Sequence, residues 1–593
     1  MRTAIVIGPP VPGSPLDGDL RALGFDDIQT AADIADAATV LAFIPEGRRI
    51  ALVDSHFVGH RHSLRLGLTD PRWPAAAIEG AVTAQPEARA ALSRAAMRSQ
   101  SIEGVADQLA TQLEADGLAL ARPELGVLVA ATPQDLTERA KTEDSVAAVN
   151  EEKARLNSVV KARDGFFTTF FISPYSKYIA RWCARRGFTP NQVTTASLLT
   201  AVIAAGLAAT GTRPGFVAAG VLLLFSFVLD CTDGQLARYS LQYSTMGAWL
   251  DATFDRAKEY AYYAGLAIGA ANANNDDVWA LALGAMILQT VRHVVDFSFN
   301  EANHDAQGNT SPTAALSSKL DSVGWTVWLR RMIVLPIGER WAMIAVLTAL
   351  TTPRIVFYAL LIGCALAACY TTAGRVLRSL TRKAERTERA TQALASLADT
   401  GPLAEGVAAA TSRIKAFSPF QAPAVAALGG ALVVGAAFLD GPWPLIGALV
   451  YVLTSGLAVA RPLAGPLDWL VPPLFRAAEY GTILVLAARS DASGALPAAF
   501  GLVGAVAYHH YDTVYRIRGG TGAPPHWLVR AIGGHDGRTL LVVVAAALLN
   551  DSGFTIALTA LAVALALVVL VESIRFWVSS GAPAVHDESG EPA

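Results

Sequence analysis

The apolar positions along the chain follow three rhythms. Up to about residue 150 they come in short runs. "TAIVIG", "TVLAFI", "RIALVD" and "GVLVAA" read as buried strands, and the Ala-rich segments 84–98 and 102–115 read as helices. Strands alternating with helices predict an α/β domain with a mostly parallel sheet. Residues 134–163 are polar and helix-prone. From about 190 the runs approach the roughly 20 residues that a bilayer span requires. They fall at 191–211, 214–237, 248–272, 277–298, 338–352 and 355–374. The fifth is short and borrows length from "TVWLRRMIVLPIG" before it. After a charged, helix-prone linker, a second apolar block runs through 420–439, 443–460, 474–489, 495–515, 538–550 and 553–577. The tail "GAPAVHDESGEPA" has the composition of a disordered segment.

This pattern predicts an α/β domain over 1–150, juxtamembrane helices over 151–189, and a six-helix membrane domain over 190–378. A linker (379–418), a second six-helix block (419–578) and the tail (579–593) complete it. Composition agrees: 53% of the 593 residues are hydrophobic and 16% charged, too apolar for a soluble protein of this size. The net charge of −3 gives no reason to expect a nucleic-acid partner. Four cysteines show no paired spacing, and Cys364 and Cys369 lie in an apolar run as small buried side chains. The opening "MRTAIVIGPPVPGSP" has too short an apolar run for a signal peptide. Lys177, Arg181, Arg185 and Arg186 precede the first span, and Arg375, Arg378, Arg382 and Lys383 follow the sixth. The positive-inside rule then places the amino-terminal domain and both flanks in the cytoplasm, with the turn between spans two and three at the cytoplasmic face of the cell membrane.

That turn carries the chemistry. Asp230 and Asp233 close span two, and Asp251 and Asp255 open span three. Spacings of three and four put each pair on one helix face. Two antiparallel helices would aim all four carboxylates at one point, at high cost beside hydrocarbon unless a cation balances them. Hard oxygen ligands suit Mg²⁺ or Mn²⁺. Gly234, Ala237 and Gly247 leave room for a ligand near the backbone, and Arg238 supplies positive charge for a phosphate. The plainer alternative is an ion-pair network of these aspartates with Arg238, Arg256 and Lys258.

The pattern Asp-x2-Asp-Gly-x2-Ala-Arg-x8-Gly-x3-Asp-x3-Asp, filled at Asp230, Asp233, Gly234, Ala237, Arg238, Gly247, Asp251 and Asp255, resembles the signature of the CDP-alcohol phosphotransferase (phosphatidyltransferase) family. The resemblance covers roughly 160–385 and includes the entry "GFTPNQVTTASLL" to the first span. It implies a six-helix fold in which the four aspartates hold metal and Asp255 is also the general base. The donor would be a CDP-alcohol, either CDP-diacylglycerol or a CDP-polyol, and the acceptor an alcohol or alcohol phosphate, with CMP released. The cytidine side would involve Thr189, Pro190, Asn191, Gly234, Ala237, Arg238, Ser244 and Gly247. Arg292, Arg340 and Arg375, at the ends of later spans, would receive a phosphorylated acceptor; the bland alternative is snorkelling to lipid headgroups.

The stretch "LNSVVKARDGFFTTFFISPYSK" is similar to the junction in bifunctional inositol-phosphate cytidylyltransferase/phosphotransferases. The Gly-rich, Arg-bearing loop expected after the first strand is replaced by "VIGPPVPGSP", which points to a degenerate, non-catalytic domain. An active cytidylyltransferase is the alternative. Asp54 is either a relic metal ligand or a turn residue.

The second block echoes the first. "WLDATFDRAKEYAYYAGLA" and "WLVPPLFRAAEYGTILVLA" share Trp, Leu, Arg, Ala, Glu, Tyr, Leu and Ala at a constant offset of 220, with Val471 for Asp251 and Phe475 for Asp255. A diverged, inactive duplicate is expected, serving as an internal pseudo-dimer partner; a homodimer is the other arrangement open. Functions of other classes remain as rivals: a transporter with acidic coupling sites, or a membrane scaffold.

Overall fold

A computed structural model of the chain describes residues 2–99, 104–161, 164–304, 334–381, 386–413 and 418–579. The tail expected to be disordered and most of "TVWLRRMIVLPIG" lie outside the described residues. The chain forms two compact units, the first made of residues up to 162 with Tyr175–Pro190 and Thr232–Tyr243, the second of the remainder.

In the first unit, strands β1 (Arg2–Ile7), β2 (Asp27–Ala31), β3 (Arg49–Asp54), β5 (Ala75–Ile78), β6 (Ala81–Ala84) and β7 (Leu120–Ala121) form one sheet in the order β2-β1-β3-β6-β5-β7. β1 pairs in parallel with β2 and β3, whereas β6 is antiparallel to both β3 and β5. A two-strand ladder of β4 (Val58–Gly59) and β8 (Ala130–Ala131) lies apart. Alternation along the strands sorts the core. Ile5, Ile7, Ile50 and Leu52 meet α2 (Ile34–Phe43), α4 (Arg89–Arg98) and α5 (Val105–Ala115). Ala4, Ala51 and Val53 meet α1 (Leu16–Ala22) and α3 (Arg61–Thr69) on the other face. The polar stretch beyond forms α6 (Leu136–Ala147) and α7 (Glu151–Ser158), and α8 spans Ser173–Arg185.

Two expected strands take other forms. "TVLAFI" lies in α2, because Asp33 caps that helix by accepting from the Asp36 amide at 2.9 Å, and Ile34, Ala37 and Leu41 form a helical stripe into the core. "GVLVAA" contributes only β8.

In the second unit every apolar run is a helix. The first six are α9 (Pro190–Ala209), α10 (Arg213–Ser240), α11 (Thr245–Asn274), α12 (Trp279–Asn303), α13 (Ile337–Leu350) and α14 (Pro353–Thr381). α15 (Glu388–Ala398) and α16 (Pro402–Thr411) follow. The second set is α17 (Gln421–Ala436), α18 (Trp443–Val459), α19 (Val471–Arg489), α20 (Ala495–Arg518), the short α21 (His526–Ala531), α22 (Gly534–Leu548) and α23 (Asp551–Ser579). Seven helical segments among the described residues are long and apolar enough to cross a membrane: 190–209, 213–240, 279–303, 353–381, 468–489, 526–548 and 551–579. This is fewer than the twelve apolar runs, because α13, α17 and α18 are short, α11 is interrupted by charge, and α20 ends in the polar stretch "YHHYDTVYRIR". Small residues bring backbones together, as helices in lipid require. Gly265 and Gly269 of α11 lie against Ala205 and Ala208 of α9, and Gly430 of α17 lies against Ala478 of α19.

The expected linker is in fact docked. Ala390, Ala393, Leu394, Leu397 and Ala398 form a buried helical stripe on α15. Asp399, just beyond it, pairs with Arg476 and Arg538, each at 2.8 Å, and with His509 at 3.1 Å. Burial pushes its carboxyl up, but the charges of Arg476, Arg538 and His509 together outweigh this and hold it well below the usual carboxylate range.

His62 on α3 gives the amino-terminal domain a pH-sensitive point. It is buried, with neither ring nitrogen hydrogen-bonded. Burial, then the charges of Arg155, Arg65 and His60, push its pKa down from 6.5 to about 3. Below pH 6.5 the unfolded chain takes up a proton that the folded domain refuses until about pH 3. Stability therefore falls with pH across that window, by up to about 1.4 kcal/mol per unit. Hydrogen exchange at the β1 and β3 amides should show protection dropping from pH 6 towards pH 4, with a flatter profile in His62→Leu. An unchanged slope in that variant contradicts the assignment.

Candidate metal and nucleotide site

The site is built on the facing ends of α10 and α11. Ser244 caps α11 by accepting from the Gly247 amide at 2.9 Å, which fixes where the helix starts and so which face bears Asp251 and Asp255. A side chain at Gly247 would stand 2.8 Å from Asn191 Oδ1 and 2.9 Å from Ser244 Oγ. Asn191, Ser244 and Gly247, all expected on the nucleotide side, are thus neighbours around a spot where only glycine fits without displacement.

Carboxylate oxygens of Asp230, Asp233 and Asp251 lie within 4.8 Å of one another. Asp233 is buried, Asp230 half-buried and Asp251 exposed, so the cluster has one open side. Three convergent carboxylates form an all-oxygen donor set of the kind that holds a hard divalent cation.

Asp255 has a different partner. Lys258, one turn along α11, is fully buried and reaches Asp255 at 2.8 Å and also Asp230. Its ammonium donates to Ser197 Oγ at 3.2 Å and sits 5.3 Å from the centre of the Trp341 ring. Ser197 is itself fixed on α9 by donating to the Ser226 carbonyl of α10 at 2.8 Å. Lys258 thus supplies the ion-pair partner for Asp255 and Asp230, while Asp230, Asp233 and Asp251 converge as a metal reading requires, with Asp230 common to both sets. The i, i+3 spacing of Asp255 and Lys258 is the signal that identifies this counter-ion as part of the site.

Behind Lys258 lies a second charged layer. Glu259 pairs with Arg256 and Arg340, each at 3.0 Å, and accepts from the Tyr263 hydroxyl at 2.6 Å. Arg340, expected on the acceptor side, is buried and its guanidinium pairs with Glu259. Arg292 of α12 donates to the Val334 carbonyl, ahead of α13, and Arg375 of α14 pairs with Asp296 of α12. On the remaining nucleotide-side positions, Thr189 and Pro190 lead into α9, and Gly234, Ala237 and Arg238 occupy the last turns of α10. Arg238 Nε donates to the Val159 carbonyl at 2.6 Å.

Residues 188–353 match the family model for CDP-alcohol phosphatidyltransferase. This segment is a CDP-alcohol phosphatidyltransferase domain. With the seven apolar segments, the match makes the chain a multi-pass membrane protein. The chain is 30% identical over 144 residues to a phosphatidylinositol phosphate synthase of Streptomyces avermitilis, covering 23% of this chain and 55% of that protein. It is 32% identical over 105 residues to a bifunctional IPC transferase and DIPP synthase of Aquifex aeolicus, covering 18% and 23%. An archaetidylinositol phosphate synthase of Pyrococcus horikoshii is 33% identical over 91 residues, covering 15% and 47%. The chain thus spans between about a quarter and just over half the length of these relatives. Residues 388–593 match a separate family of unknown function (DUF5941), which begins at α15, outside the phosphatidyltransferase domain.

The geometry makes Lys258 the internal counter-ion of the carboxylate cluster. Removing one partner of a buried charged pair costs about 3–5 kcal/mol. Lys258→Met should therefore lower metal-free stability by that order, with Mn²⁺ restoring part of it in a thermal-unfolding series. Wild-type stability without metal contradicts this role.

Proposed function

We propose that the domain transfers a phosphoalcohol group from a CDP-alcohol to an acceptor hydroxyl and releases CMP, with Mg²⁺ or Mn²⁺ held by Asp230, Asp233, Asp251 and Asp255. The observation that carries this reading is the carboxylate cluster open on one side, with Asp255 held next to it by Lys258. A bound divalent ion supplies neutralisation of the pyrophosphate charge. Asn191, Ser244 and Gly247 shape the nucleotide end, and Arg238 on α10 adds positive charge for phosphate. Asp255 takes the acceptor's hydroxyl proton as its oxygen bonds to the β-phosphorus and the bond to CMP breaks. Lys258 fixes the direction of that carboxylate, which matters because a carboxylate is a weak base and works here through positioning.

The relatives' names support a phosphorylated inositol-like acceptor and a diacylglycerol-type donor; a soluble CDP-polyol is the alternative donor. Arg292 and Arg375 are the groups to receive the acceptor phosphate, since a guanidinium donates to it bidentately. The basic residues flanking α9 and α14 support a cytoplasmic site at the cell membrane. The amino-terminal domain is read as non-catalytic. Asp54 supports this by accepting from the His56 amide at 2.9 Å, the turn role rather than the ligand role.

Purified chain given a radiolabelled CDP-alcohol and an acceptor should form CMP only with a divalent cation. Asp251→Asn and Asp255→Asn should abolish this while the protein stays folded. Turnover at the wild-type rate in either variant sinks the proposal. Arg292→Ala and Arg375→Ala should raise the acceptor KM by about thirtyfold or more, the loss of a charged hydrogen bond worth about 2–3 kcal/mol, and leave the donor KM alone. A change confined to the donor KM rules out the acceptor pocket.

A further inference from the structure

We propose that residues 421–579 are a metal-free copy of the 190–381 half that acts as a built-in subunit, seating the aspartate-bearing helix α11 through Trp577 and Tyr511. The role, though not the geometry, rests on the function proposed above.

The likeness of the halves extends from sequence into buried chemistry. Glu259 is held by Arg256 on its own helix and Arg340 from α13. Glu479 is held in the same way, by Arg476 on its own helix at 2.8 Å and Arg538 from α22 at 2.6 Å. His293 and Asp296 of α12 recur as His509 and Asp512 of α20 at one constant offset. Asp296 ties α12 to α14, and Asp512 ties α20 to α23. A buried Arg–Glu–Arg arrangement is costly to assemble, so its recurrence at matching positions is poorly explained by composition.

The copy lacks the site. Val471 and Phe475 stand where Asp251 and Asp255 stand in the first half, and both are fully buried. Phe475 stacks on His535 at 4.1 Å, filling the space with rings. α18, the counterpart of α10, contains no acidic residue.

The halves pack as a two-fold pair would. α12 lies against its own counterpart α20, and the contact of α12 with α19 is mirrored by that of α20 with α11. Each half thus offers the same surface, the mark of an isologous interface. Trp279 meets Phe500 at 5.5 Å, and His293 meets Tyr511 at 4.5 Å, two residues from its counterpart His509.

This interface reaches the site. Trp249, two residues before Asp251, stacks on Trp577 at 6.1 Å with a 22° interplanar angle. Trp577 is fixed by donating to Asp512 Oδ1 at 2.7 Å, and Ser573 donates to the same oxygen at 2.7 Å. Arg256, adjacent to Asp255, lies 5.1 Å from the centre of the Tyr511 ring. The Tyr511 hydroxyl is buried without a hydrogen bond, so the ring face is what α11 uses. Two aromatic residues of the copy thus bracket the turn and a half of α11 that bears both aspartates.

The test uses the full chain in nanodiscs, with Mn²⁺ binding followed by electron paramagnetic resonance and transfer by CMP release. Trp577→Ala should weaken Mn²⁺ binding and lower kcat by up to about tenfold each, the scale of one lost aromatic pair, with the acceptor KM unchanged. Trp577→Phe keeps a ring in the stack and should restore both. Tyr511→Ala should behave like Trp577→Ala and Tyr511→Phe like the wild type; this pair carries the test if Trp577→Ala fails to fold. Wild-type Mn²⁺ affinity and kcat in the folded alanine variants overturn the seating role. Mn²⁺ still bound after Asp230→Asn, Asp233→Asn, Asp251→Asn and Asp255→Asn are combined overturns the metal-free copy. A wild-type chain that binds Mn²⁺ but releases no CMP overturns the proposed function alone, since Mn²⁺ affinity still reads the seating of α11.

Discussion

Carboxylates among apolar helices have to be balanced, and that constraint shapes the membrane unit. In low dielectric an unpaired charge is costly, so each acidic group requires a partner supplied by another part of the fold. Lys258 serves Asp230 and Asp255 from inside the bundle. Asp230, Asp233 and Asp251 converge on an open side, where a cation from solvent can do the same. In the proposed site a permanent internal cation and an exchangeable external one would meet at Asp230, which belongs to both sets. The helices that supply these groups are fixed in turn by Ser197 against Ser226 and by the Ser244 cap.

The same constraint accounts for the charges that do no chemistry. Glu259 and Glu479 each sit between two arginines, one on the same helix and one from a later helix. Such a clamp ties three segments of chain to one point and penalises any shift of register. Where the aspartates are absent, around Val471 and Phe475, the clamp remains. Arg340 is the member that the first clamp draws from α13. Asp399 extends the second clamp by bringing α15 and α16 against the membrane helices.

Much of this was legible in the sequence. The aspartate signature is local, and its spacing on two helices says which groups face each other. The apolar runs mark twelve of the described helices, because a sustained apolar run is a strong signal even where it falls short of bilayer length. The partners are harder to read. Lys258 lies within the signature's own helix at i, i+3 from Asp255, yet its choice between lipid surface and site depends on how α9, α10 and α11 pack. Charges at helix ends look alike in sequence whether they meet phosphate or a buried glutamate, and this hid the pairing of Arg340 with Glu259. "TVLAFI" reads as a strand by composition, and only the Asp33 cap and the stripe through Leu41 make it helical. The charged look of 379–416 masked the stripe from Ala390 to Ala398 that docks it.

The central claim is that the carboxylates of α10 and α11 hold a divalent ion against the pyrophosphate of a cytidine nucleotide. It is tested most directly by ³¹P magnetic resonance of CDP bound to the purified chain while Mn²⁺ is titrated in. The account predicts strong paramagnetic broadening of both phosphorus signals, lost on Asp251→Asn. Phosphorus signals that stay sharp with CDP and Mn²⁺ both bound would contradict it.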